Sequence, residues 1–97
     1  MYAVNTHFQF REPMSENLRD AIVQNIVDPL PKARGFRGYY AMAPSDRDVV
    51  TFMVWDSQAD AERYIEHVSP WMQQNVVPHL TNPPQRTGGE VVVSRQK

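Results

Sequence analysis

Gly35-Phe36-Arg37-Gly38-Tyr39-Tyr40 and Val54-Trp55-Asp56-Ser57 are the stretches that decide the fold. The first reads as a helix stop passing into a strand, with Gly35 at the position after a helix end that favours glycine. The second reads as a strand passing into a helix cap, with Ser57 as the cap. Between them, Pro44-Ser45-Asp46-Arg47-Asp48 is a polar turn. The turn divides the segment into two predicted strands, residues 36–43 and 49–55. A hairpin lying between two helices, with one more strand at each end, gives the order β-α-β-β-α-β of the split βαβ unit.

Working outward, Tyr2 to Phe10 alternates with period two. Tyr2, Val4, Thr6, Phe8 and Phe10 share one face, and Ala3, Asn5, His7 and Gln9 the other. Ser15 is a candidate N-cap, followed by Leu18, Ala21, Ile22 and Ile26 at helical spacing. Pro29 interrupts that helix, and Pro31 starts a short turn. Ser57-Gln58-Ala59-Asp60 resembles a capping box with Asp in the last place. Ala61, Tyr64, Ile65 and Val68 continue that helix, and Ser69-Pro70 predicts a break and a fresh start. Trp71, Met72, Val76 and Leu80 fall in the restarted segment. Residues 81–89 read as a polar loop, and 90–95, around Val91-Val92-Val93, as the last strand.

Ninety-seven residues with a net charge of −1 and no cysteine form one domain, residues 1–97. Disulfides, thiolate metal sites and a cysteine nucleophile are excluded. No basic stripe points to nucleic acid, and no apolar segment approaches a membrane span. A cytoplasmic protein is expected. The expected class is α+β: a four-stranded antiparallel sheet with both helices on one face. The third strand is apolar on both sides, so it expects cover on both. Two helices cover one face only. The reading places Val4, Phe8 and Phe10 on the other, buried against the same face of a second chain in a homodimer. Asn5 and His7 then point toward the helices.

The glycine-aromatic stretch and the Val54-Trp55-Asp56-Ser57 stretch, followed by Ala59, Ala61 and Tyr64, resemble the antibiotic-biosynthesis-monooxygenase-like family of dimeric α/β barrels. The resemblance covers nearly the whole chain. It implies ferredoxin-like units that pair into a barrel, with a pocket between sheet and helices. Some relatives oxygenate aromatic polyketides without metal or flavin, others degrade heme, and many have no assigned activity. In the heme-degrading relatives a first-strand Asn works with a Trp and a His on the second helix. Asn5 matches the Asn, and Tyr64 falls near the Trp. Gln73 or Gln74 falls at the His, which disfavours heme. In the polyketide oxygenases a Trp ending the third strand matches Trp55, while Thr51 stands where they have an Asn.

These observations give a candidate site. Asn5 is an expected donor to a substrate carbonyl or an oxygen intermediate, and His7 a general base near neutral pH. Trp55, Tyr64, His67 and Trp71 are the expected substrate-binding residues, suited to a planar aromatic ligand. The opposing reading of the aromatic residues is core packing, which the spacing favours for Trp55 and Phe52. His7, His67 and His79 show no metal-binding spacing, so no metal is expected. The expected function is a cofactor-independent monooxygenase of a small quinol- or polyketide-like aromatic. The alternatives are a non-catalytic ligand-binding dimer and, less favoured, a heme-degrading enzyme.

Overall fold

A computed structural model describes all residues, 1–97. The chain runs β1 (Tyr2–Gln9), α1 (Glu16–Ile22), β2 (Phe36–Ser45), β3 (Asp48–Trp55), α2 (Gln58–Asn75) and β4 (Gln85–Glu90). The four strands form one antiparallel sheet in the order β2-β3-β1-β4. This is the ferredoxin-like α+β arrangement expected from the element order.

Local chemistry explains most of the element ends. The Ser15 hydroxyl accepts from the Leu18 amide at 3.1 Å and opens α1. The helix widens into a π turn over Val23–Val27, where the Asp28 amide donates to the Val23 carbonyl. Pro29 then starts a single 3-10 turn, Leu30–Lys32. Gly35 has φ 80°, and a side chain there would collide with the Asp60 carboxylate. Its carbonyl accepts from the Asp56 amide at 2.7 Å, so the entry to β2 is fastened to the end of β3. Ser57 caps α2 through the Asp60 amide at 3.2 Å, and its hydroxyl donates to the Asp60 carboxylate at 3.0 Å.

The sheet's faces are the reverse of the sequence reading. Val4 and Thr6 are buried on the helix side, opposite Met53 and Thr51 of β3. Asn5 and His7 therefore lie on the open face. Alternation defines two sets of residues but does not say which is covered. The more apolar set of β1 goes under the helices, because that is where apolar area leaves water. The open face still carries apolar groups: Tyr40 is 75% exposed, Met42 51% and Phe52 40%.

Two further expectations are corrected. The last strand is Gln85–Glu90, not residues 90–95. It pairs along β1 from His7↔Gln85 to Tyr2↔Glu90, where β1 runs out. Val92 and Val93, beyond that edge, are 90% and 70% exposed. The second helix does not restart at Ser69-Pro70. It runs unbroken from Gln58 to Asn75 with Pro70 inside it. Pro70 removes one ladder bond and is itself exposed.

The core has two parts. One contains Val4, Leu30, Met53, Trp55, Ala61 and Tyr64. The other contains Phe10, Val76 and Leu80, with Trp71 and Met72 packed against it. Both lie between sheet and helices, and α2 contributes to both.

Candidate functional site

Trp55 ends β3 and is wholly buried. Phe36, at the start of β2, meets it edge-on at 5.6 Å between ring centroids. Tyr64, two turns into α2, lies against its other side at 5.4 Å, tilted by 36°. The Tyr64 hydroxyl donates to the Ile26 carbonyl, which ties α2 to the π turn after α1. Burial pushes the Tyr64 hydroxyl above its ordinary pKa, with a smaller contribution from Tyr39, so it stays a donor at neutral pH. One turn further along α2, the His67 ring is 6.4 Å from Tyr64.

Beside these rings is a cavity of about 310 Å³. Trp55, Tyr64 and His67 line it from the sheet and α2, and Lys32, Ala33 and Arg34 from the segment before β2. Asp60 and Arg63 complete the wall and bond to each other at 2.9 Å. The Arg63 hydrogen bond, then that of Ser57, holds the Asp60 carboxyl below its ordinary pKa.

A second cavity of about 270 Å³ lies on the other flank of α2, over β1 and β4. Tyr2, Val4, Ala61, Ile65 and Gly88 form its apolar part, and Glu62, Glu66 and Arg86 its polar part. A Cβ at Gly88 would meet the Tyr2 hydroxyl, so a side chain there would displace the Tyr2 ring.

Three of the six expected site residues, Trp55, Tyr64 and His67, thus meet in one cavity. Trp71 does not join them. It packs toward Phe10, Val76 and Leu80 in the second core, because α2 continues past Pro70 without interruption and carries it there. Asn5 and His7 are separated from the cavity by the sheet itself. His7 is instead hydrogen-bonded to Asp48 at 2.9 Å on the open face. Ser45 also donates to Asp48 at 2.6 Å. These two bonds, Ser45 first, hold the Asp48 carboxyl below its ordinary value.

The sequence reading missed Lys32, Arg34 and Arg63. The signal was present in Pro29-Leu30-Pro31-Lys32-Ala33-Arg34-Gly35, where two prolines and a glycine fix a turn that carries two cations.

Residues 1–68 match the model of the antibiotic biosynthesis monooxygenase family. The chain belongs to that family. No curated protein matches it. Among solved structures the antibiotic biosynthesis monooxygenase fold recurs at low identity. Rv0793 from Mycobacterium tuberculosis is 19% identical with a TM-score of 0.79, over 98% of either chain. The monooxygenase from the gene ActVA-Orf6 of Streptomyces coelicolor, solved with the ligand nanaomycin D, is 15% identical with a TM-score of 0.76. That match covers 99% of this chain and 91% of the other. SnoaB, a cofactor-independent oxygenase from Streptomyces nogalater, is 11% identical with a TM-score of 0.69, covering 99% and 94%. These likenesses establish the fold of this family member and no more.

Two structural facts bear on cofactors and membranes. Asn5 and Tyr64, which match the Asn and fall near the Trp of the heme-degrading relatives, stand on opposite sides of the sheet. No helix is long and apolar enough to cross a membrane.

Proposed function

We propose that this protein is a cofactor-independent monooxygenase of a small, electron-rich aromatic bound beside Trp55. The observation that carries the reading is the convergence of Trp55, Tyr64 and His67 on one cavity in a chain of this family. At about 310 Å³ the cavity is at the small end of ligand sites, which span roughly 300–1,000 Å³. It suits one or two fused rings.

The chemistry needs little from the protein. His67 takes the proton of a ring hydroxyl. The phenolate gives one electron to dioxygen, and the resulting radical pair combines at the para carbon, forming a C–O bond. The peroxide then takes the proton back from His67. Loss of water breaks the O–O and C–H bonds and leaves a quinone. One oxygen atom stays in the product and the other leaves as water. The ring supplies all four electrons that dioxygen accepts. Trp55 and Tyr64 hold the ring and keep water away from the reacting carbon.

The test is oxygen uptake with 1,5-dihydroxynaphthalene in isotopically labelled dioxygen. The expected result is one labelled oxygen in the quinone, and a large loss of rate in His67→Ala. Binding with no protein-dependent oxygen uptake would instead establish the non-catalytic ligand-binding reading.

We also infer that the open face pairs with a second copy of the chain. Tyr40, Met42 and Phe52 leave an exposed apolar patch on this face, the kind of surface that marks an interaction site. Asn5 and His7, which neighbour this patch, then lie in the interior of the pair. Sedimentation at micromolar concentration should give a dimer, and Phe52→Asp a folded monomer. A wild-type monomer rules out the pairing.

A further inference from the structure

The two cavities flanking α2 carry opposite charge. Glu62 and Glu66 outnumber Arg86 in one. In the other, Lys32, Arg34 and Arg63 face a single carboxylate, Asp60, and His67 stands beside them. Asp60 is already bonded to Arg63 at 2.9 Å. Lys32 and Arg34 have no carboxylate partner: the chain's ion pairs join other residues. The cavity beside Trp55 therefore carries three cations against one carboxylate, Asp60, which attracts Arg63 directly and Arg34 at longer range, in a chain whose net charge is −1.

The backbone that carries these cations is fixed by the fold. Lys32 ends the 3-10 turn that begins after Pro29, and that turn is anchored by Leu30, which is fully buried. Arg34 is followed by Gly35, whose left-handed backbone is fastened to β3. A second observation points to a missing acceptor. Trp55 lines the cavity, and its buried indole Nε1–H has no hydrogen-bond partner. Buried donors without partners are uncommon in folded proteins, and each calls for an explanation.

We propose that the ligand of this cavity is an aromatic carboxylate, its acid group held by Lys32 and Arg34 while its ring lies in the cavity beside Trp55 and Tyr64. The inference rests on the assignment of this cavity as the substrate site. Arg34 supplies a planar fork of donors that matches a carboxylate, and Lys32 adds a point charge. A neutral aromatic would leave both cations unused. The opposite cavity, with its two glutamates, would repel the same ligand.

The experiment is calorimetric titration under argon with 1,5-dihydroxynaphthalene and with its 2-carboxylate. The carboxylate is expected to bind about tenfold tighter at low salt, the scale of two partly exposed charge-assisted contacts. High salt should shrink that preference. The Lys32→Gln/Arg34→Gln pair should bring it close to unity, while Arg34→Lys keeps part of it. Glu62→Gln/Glu66→Gln, in the other cavity, should leave the preference intact. Equal affinity of the wild type for the two compounds, or a preference that survives Lys32→Gln/Arg34→Gln, overturns the proposal. Equal affinity with labelled quinone still formed would leave the oxygenase reading standing. A clear carboxylate preference with no oxygen consumption would support the charge assignment and remove the oxygenase reading. Binding of neither compound overturns both.

Discussion

The two parts of the core differ in what surrounds them. Around Val4, Met53, Trp55 and Tyr64 the packing stops short on both flanks of α2, and a cavity opens on each. Around Phe10, Val76 and Leu80, partly buried Phe8, Met14, Leu18, Ile22, Val49, Trp71, Met72 and Val77 close the shell, and neither cavity reaches it. The same helix and the same strand serve both. One end carries neither cavity, while the other keeps room for a ligand on both flanks of the helix. If this division holds, stability and ligand affinity should respond to different residues.

The largest expected effect is in the closed part. Phe10→Ala should cost about 3–5 kcal/mol in urea unfolding, as large-to-small changes of buried aromatics do. Ligand affinity, measured well below the variant's melting temperature, should be unchanged. A parallel loss of affinity would show the two parts to be a single unit. Gly35→Ala comes next. A left-handed backbone costs a non-glycine residue roughly 1–3 kcal/mol, and here the new methyl also meets the Asp60 carboxylate. Because Gly35 and Asp60 border the open part, this variant should lose affinity together with stability. Wild-type affinity in Gly35→Ala would mean that the cavity tolerates movement of its own frame.

A smaller effect, about 1 kcal/mol, is expected for Ser57→Ala, which removes the cap of α2. Thermal melting should register it, and Ser57→Thr, which keeps a hydroxyl to accept from the Asp60 amide and donate to its carboxylate, should restore much of it. The smallest effect is in acid. Hydrogen bonds from Arg63 and Ser57 keep the folded Asp60 pKa below its unfolded value, so in the acid range the unfolded chain binds more protons. The stabilisation is therefore complete above the ordinary carboxylate pKa of about 3.9 and is lost as pH falls through the lower folded value. Asp48 acts with the same sign on the open face. Melting curves from pH 7 downward should fall more gently in Asp60→Asn than in the wild type. Identical slopes would remove Asp60 from the acid response.

The order of elements is legible in the sequence because its signals are local. Gly35 must adopt a left-handed backbone, and Ser15 and Ser57 must cap helices, whatever the rest of the chain does. The identity of the covered face is not local. Val4 and Asn5 define two surfaces, and only the competition for burial under α2 decides between them. β4 is missed for a related reason. Gln85-Arg86-Thr87-Gly88-Gly89-Glu90 has little strand propensity, but it is drawn into the sheet by pairing with β1. Val91-Val92-Val93 has the propensity and no strand beside it. Within the candidate site, Trp55, Tyr64 and His67 do meet, while spacing also favours the core for Trp55, which is wholly buried, and Trp71 goes to the second core. Asn5 and His7 share the error in the face assignment, and Lys32 and Arg34 join the cavity through tertiary packing that no periodic pattern announces.

Pro70 lies where α2 passes from one part of the core to the other. Ala61, Tyr64, Ile65 and Val68 serve the first part, and Trp71, Met72 and Val76 the second. The missing ladder bond at Pro70 weakens the helix at that seam and nowhere else. The helix is thus continuous in shape but divided in cooperativity. Opening of its first half, which borders both cavities, need not propagate into its second. Amide hydrogen exchange should therefore report two protection levels along α2, the lower one before Pro70 and the higher one after it. A ligand beside Tyr64 should slow exchange in the first half only.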